Sequence, residues 1–243
     1  MNDDGATRQR VLQAGEELFA RHGFKKVTVR DICRAAGANV AAVNYHFGDK
    51  IGLYREVMQG AIDAVRGTSE AARAAGEGQP AEEKLRRYIA IFLRRLLRPG
   101  RATVHQLINR EMADPTPALD RLVEEGVRPR VEYLAGIVSE IMGLDRGDER
   151  VLRCTASVQA QALSYVPNPI ATRLGFHFEG TPAEIEAAVR HVSLFSLAGV
   201  RAVGRDARAR PSAAGARPRR GRRRAARPRG GRRGAGPSGA GRR

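Results

Sequence analysis

Residues 28–50, TVRDICRAAGANVAAVNYHFGDK, leave the backbone few choices. Thr28 is a good N-cap, and Asp31 stands three residues later in a capping-box position. Val29, Ile32, Cys33 and Ala36 then recur at helical spacing and give one apolar face. The run Ala36-Gly37-Ala38-Asn39 ends that helix, because Gly37 can take a positive φ and Asn39 can cap the next helix. Val40 to Tyr45 reads as a second short helix, with polar Asn44, Tyr45 and His46 at its end. A third helix opens near Lys50. Two helices joined by a tight Gly-containing turn form a helix-turn-helix, whose second helix fits the DNA major groove. Any helical hairpin with Gly at its corner shares the bare pattern. Two details point toward nucleic acid: small residues (Ala41, Ala42) permit close approach, and Lys50 can neutralise a phosphate.

The rest of the chain reads as helices alone. Thr7 to His22 carries an apolar stripe of Val11, Leu12, Ala14, Gly15, Leu18 and Phe19. Lys50 to about Arg73 is one long helix, with Leu53, Tyr54, Val57, Met58, Ala61, Ile62 and Val65 on one side. Further helices are expected over Ala81 to Leu97, Ala102 to Met112 and Pro117 to Met142, the last with a kink near Gly126 and Pro129. Two more are expected from Asp148 to Tyr165 and from Pro182 to about Val203, with a loop through 167–181. No period-2 alternation is long enough for a strand. The fold class is therefore all-α, about nine helices. The expected divisions are a helix-turn-helix domain at 1–49, a second helical domain at 50–204, and a tail at 205–243.

This pattern resembles the TetR family of transcriptional regulators. The resemblance is carried by Ala14, Leu18, Phe19, Gly23, Phe24, Thr28, Val29, Ile32, Ala36, Gly37, Tyr45, His46, Phe47, Lys50 and Leu53. AGANVAAVNYHFGDKIGLY and REMADPTPALDRLVEEGVRP are similar to the CecR (YbiH-like) subgroup, and the likeness covers roughly residues 7–200. Ile51 departs from the usual acidic residue there. The resemblance implies a reading head followed by an effector-binding and dimerisation domain. Position by position it implies groove contacts from Arg30, Val40, Ala42, Asn44 and Tyr45. It implies phosphate contacts from Thr28, Asn39, Tyr45, His46 and Lys50. His46 and Phe47 have a rival role in packing the second helix onto the rest. Asn44 can pair with adenine in two hydrogen bonds, and Val40 or Ala42 can meet a thymine methyl.

The implied partners are a double-stranded DNA operator, a second copy of the chain and a small-molecule effector. Residues 148–165 and 182–203 are apolar enough to form a two-fold four-helix interface; finishing the core of one chain is the other reading. Polar side chains inside apolar patterns are the effector-site candidates: Tyr88, His105, Asn109, Arg110, Gln159 and Tyr165. Arg110, with Glu111 beside the Pro-Thr-Pro turn, reads more readily as a structural clamp than as part of a pocket.

Charge is concentrated. Of the net +17, the 39 residues from Arg205 onward hold fifteen Arg against one Asp, while residues 1–204 hold 28 Lys and Arg against 25 Asp and Glu. The tail is Arg, Gly, Ala and Pro, too poor in large apolar residues to fold. Two readings stand for it: a non-specific DNA tether, or the product of a GC-rich gene read past its end or out of frame. If the tail dominates, the chain is a non-specific nucleic-acid binder. The five His show no metal-ligand spacing, and no nucleophile elbow or phosphate-binding Gly loop is present, so neither enzyme nor cofactor is expected. No run of about 18 apolar residues suggests a membrane span. Two distant cysteines, Cys33 and Cys154, fit buried thiols in a reducing cytoplasm.

Overall fold

The computed structural model describes residues 3–98, 102–166 and 168–209. Among these there are ten helices and no strand. They are α1 (Asp3–His22), α2 (Val29–Ala36), α3 (Val40–Phe47), α4 (Lys50–Gly76), α5 (Ala81–Leu96), α6 (Ala102–Ala113), α7 (118–142), α8 (Glu149–Leu163), α9 (Pro169–Arg173) and α10 (Pro182–Ala209). The Arg-rich tail from residue 210 onward, and the helix-stopping residues Pro99, Gly100 and Pro167, lie outside the described residues.

Two apolar cores share α4. The first gathers Val11 and Phe19 of α1, Ile32 of α2, Val43 of α3, Leu53 to Val65 of α4, Leu107 of α6 and Leu122 of α7. The second gathers Ala72 of α4 with α5, the later part of α7, α8 and α10. A fully buried Leu, Ile or Phe stabilises by about 1.5–3 kcal/mol. Isolated helices as short as α2 and α3 are marginal in water. Burial of Val43 and Phe47 therefore holds α3 in place, and helix propensity does not.

Three elements depart from the sequence expectation. The kink expected in α7 is instead a π-helical stretch, Leu122–Val127, between Ala118–Arg121 and Arg128–Met142. Pro129 has no N–H for the carbonyl four residues back, and the widened turn sits just before it. The segment expected to be loop contains α9. Asn168 caps it, accepting from the Ile170 and Ala171 amides at 3.1 and 2.9 Å, and Pro169 takes the first helical position. Finally, α10 runs to Ala209 and not to about Val203. Its last turns have partners: Ala207 is buried, Gly204 packs on Met142, and Arg208 Nη1 donates to the Met142 carbonyl at 2.8 Å.

Candidate nucleic-acid interface

The reading head is set by short-range capping. The Asp31 amide donates to Thr28 Oγ1 at 3.2 Å, and the Thr28 amide donates to Asp31 Oδ2 at 3.0 Å. The Thr28 hydroxyl and then the Thr28 amide, both donating to the Asp31 carboxylate, hold it below the usual carboxylate range. Gly37, at φ 59°, closes α2. Asn39 Oδ1 accepts from the Ala42 amide at 2.8 Å and opens α3. Asp49 Oδ1 accepts from the Gly52 amide at 2.7 Å and opens α4. At Gly52 a Cβ would lie 1.9 Å from the Phe47 carbonyl oxygen, so only glycine lets the end of α3 sit this close to α4.

α3 turns Val43 and Phe47 inward. Outward it presents Val40 (45% exposed), Ala41, Asn44 and Tyr45 (77% exposed). The side chains of Asn44, Tyr45 and exposed Arg30 make no hydrogen bond or ion pair among the described residues. Such a face, polar and apolar by turns and without an internal task, can read base edges.

The other expected contacts are placed differently. Thr28 and Asn39 are exposed but spend acceptor atoms on their own helices. Ala42 is half-buried, and Ala41 takes the outward position. His46 is turned inward, with Nε2 3.3 Å from Asp4 Oδ1 and its ring near both Tyr45 and Phe47. Lys50 donates to the Val27 carbonyl at 2.8 Å and lies 4.3 Å from the Phe24 ring centre. Both residues hold the head together.

The six effector-site candidates do not form one group. His105 and Asn109 line a cavity of about 360 Å³ together with residues of α4, α5 and α7. His105 is half-buried, and burial pushes its pKa below the ordinary histidine value. Tyr88 is fully buried beneath Phe92, with ring centres 5.9 Å apart, and burial raises its hydroxyl pKa to about 12. Tyr165 lines a different cavity, of about 610 Å³, between the end of α8 and α10. Gln159 is buried and lines neither. Arg110 is exposed and donates to the Arg21 carbonyl at 2.7 Å, tying α6 to α1. Arg95 and Arg130 also line the smaller cavity, and neither carries a signal in the sequence that sets it apart from its neighbours.

Comparison with known proteins meets this geometry at both ends. Residues 11–57 match the family described as bacterial regulatory proteins, tetR family. Residues 81–200 match the C-terminal domain of the HTH-type transcriptional dual regulator CecR. The chain belongs to the TetR family. Within it the chain is CecR-like: it is 25% identical over 167 residues to the HTH-type transcriptional dual regulator CecR of Shigella flexneri, covering 65% of this chain and 74% of that one. Over 48 residues it is 40% identical to the HTH-type transcriptional repressor AcnR of Corynebacterium glutamicum, 20% of this chain and 26% of that one. In fold it is similar to the ketosteroid transcriptional regulator KstR2 of Mycobacterium tuberculosis, with a TM-score of 0.57 at 17% identity, covering 79% of this chain and 93% of that one. This TetR-family chain is a DNA-binding transcriptional regulator, and its relatives are regulators, not enzymes. No helix among the described residues is long and apolar enough to cross a membrane.

Proposed function

We propose that the chain is a homodimeric repressor that grips a palindromic operator through α3 and releases it when a small molecule fills the cavity beside α4. The observation that carries this reading is α3: Val40, Asn44 and Tyr45 face solvent, the last two with no side-chain hydrogen bond or ion pair among the described residues, while Val43 and Phe47 anchor the helix. Arg30, at the start of α2, adds a further unpaired donor toward the groove or its rim. A single short helix covers few bases. Two copies held one DNA turn, or a multiple, apart supply the rest of the specificity.

The surface for pairing is apolar. Leu194 (74% exposed) and Phe195 (61% exposed) stand on α10, and Leu152 and Leu163 are exposed on α8. A two-fold pairing of these helices with a second copy covers them.

Release needs a link from cavity to head, and α6 supplies it. It lines the cavity through Val104, His105, Ile108 and Asn109. It also holds the head: Arg110 bonds the Arg21 carbonyl, Asp114 pairs with Lys25, and buried Glu111 accepts from the Tyr54 hydroxyl of α4. A ligand that prefers a displaced α6 changes the spacing of the two heads and so couples the two sites. Such a regulator acts in the cytoplasm, where its operator lies.

Asn44→Ala and Tyr45→Ala are each expected to weaken operator binding by about 1–3 kcal/mol, measured by fluorescence anisotropy, without changing thermal unfolding. Parent-like affinity in both variants would remove α3 from the interface. The fifteen Arg from Arg205 onward favour a second reading, non-specific binding through the tail. Truncation after Ala209, which keeps all of α10, separates the two readings. Abolished binding supports the tail, and a modest loss supports α3.

A further inference from the structure

The cavity between α4, α5, α6 and α7 carries an unbalanced charge. Its walls are mostly apolar, with Val65, Phe92, Leu96, Val104 and Ile108 among them. Two arginines, Arg95 and Arg130, line it, and no Asp or Glu is among the described residues that do. Neither arginine makes an ion pair or hydrogen bond among the described residues. Arg130 is the more telling. Its Nε is sealed from solvent and donates to nothing, and its guanidinium lies 4.9 Å from the Phe92 ring centre. The adjacent Tyr88 hydroxyl is also buried without a partner.

A half-buried guanidinium whose Nε is sealed away without an acceptor is costly, and arrangements that persist normally pair such a group. Arg128, two residues earlier, shows the ordinary solution: it bonds Glu124 through two nitrogens, both at 2.7 Å, on the exposed side of α7. Cation–π contact with Phe92 offsets part of the cost for Arg130. It leaves the Nε–H without an acceptor. The planar fork of a guanidinium matches a carboxylate in two parallel hydrogen bonds. A neutral apolar ligand would fill the cavity and leave the Arg130 Nε–H without an acceptor.

We infer that the effector is an amphipathic organic acid, its apolar body lodged among Phe92, Leu96 and Ile108 and its carboxylate held by Arg130, with Arg95 as a second cation. This deepens the effector reading above and rests on that cavity being the effector site. About 360 Å³ lies within the range of small-ligand pockets. Exposed Met112 stands among the lining residues and marks the way in.

The test is calorimetric titration of the full-length protein, without DNA, using decanoate and 4-butylbenzoate against their neutral amides. At least one acid is expected to bind ten-fold or more tightly than its amide. Arg130→Met, which keeps side-chain length over Phe92, should erase that preference by weakening the acid while leaving the amide unchanged. Arg130→Lys, retaining charge without the fork, should fall between the two. Circular dichroism of each variant checks that it folds, and the Arg95→Met variant gives an independent reading from the second cation. Amides binding as well as acids, no acid binding at about 1 mM, or parent-like acid binding in both Arg→Met variants would overturn the assignment. Operator release is measured separately by adding the acid to the DNA complex. Binding without release would keep the ligand class and sink the coupling instead.

Discussion

Glu111 ties α6 to α4 and to the turn that precedes α7. It is 1% exposed, and its carboxylate accepts from the Tyr54 hydroxyl and from the Thr116 amide and hydroxyl, the latter two at 2.7 Å. Burial and the neighbouring carboxylate push the Tyr54 hydroxyl pKa far up, so it stays a donor. Glu111→Ala leaves that hydroxyl buried without an acceptor. The expected loss is about 2–3 kcal/mol in urea unfolding, and a loss under about 0.5 kcal/mol would mean that the cluster is not a tether. Residues with local tasks are legible in the sequence. Thr28, Asp31 and Asn39 cap helices through bonds spanning three residues, so their spacing announces them. Lys50 and His46 are not legible in the same way. Their partners, Val27 and Asp4, lie 23 and 42 positions away in sequence, and only the folded chain brings them together. Arg130 carries no sequence mark that separates it from Arg128. Which of the two enters the interior depends on how α7 packs.

At the scale of elements, the junction between α3 and α4 decides where the outward face of α3 points. The Phe47 carbonyl oxygen lies where a Cβ on residue 52 would have to go, so the junction has no slack. Gly52→Ala is expected to cost about 1–3 kcal/mol of stability and to weaken operator binding beyond what that loss explains. Thermal unfolding and anisotropy on the same sample check both, and unchanged stability would show that the close approach is not required. The long helices are legible because their apolar residues repeat at helical spacing over many turns, as in α4. The short α9 escapes such a reading although Asn168-Pro169 is a sound helix start, because five residues give no periodicity. In α7, Gly126 and Pro129 flag irregular backbone and suggest a kink. The π-helical form it takes depends on packing, where Gly126 meets Val65 of α4.

For the whole molecule, specific operator binding depends on a pair of reading heads. Leu194 and Phe195 are the most exposed large apolar residues of α10, and one chain alone gives them no cover. Phe195→Asp is expected to yield a folded monomer in analytical ultracentrifugation, with operator affinity reduced by at least about ten-fold. A dimeric variant with parent affinity would place the interface elsewhere. The fold class and the reading head are visible in the sequence, because both rest on caps, turns and periodicity. The cavity is visible only in fragments. His105 and Asn109 stand out as polar residues within an apolar pattern, but no pattern says which helices close around them.

The most direct measurement compares the full-length protein on two duplexes: a site selected from a random DNA pool, and a scramble of it. Affinities are followed from about 50 to about 200 mM salt, a range over which binding through phosphates alone falls steeply. The account predicts an inverted-repeat site preferred by about a thousand-fold or more, with the preference persisting at the higher salt and lost in Tyr45→Ala. Equal affinities that collapse together as salt rises would contradict it and leave the basic tail as the source of binding.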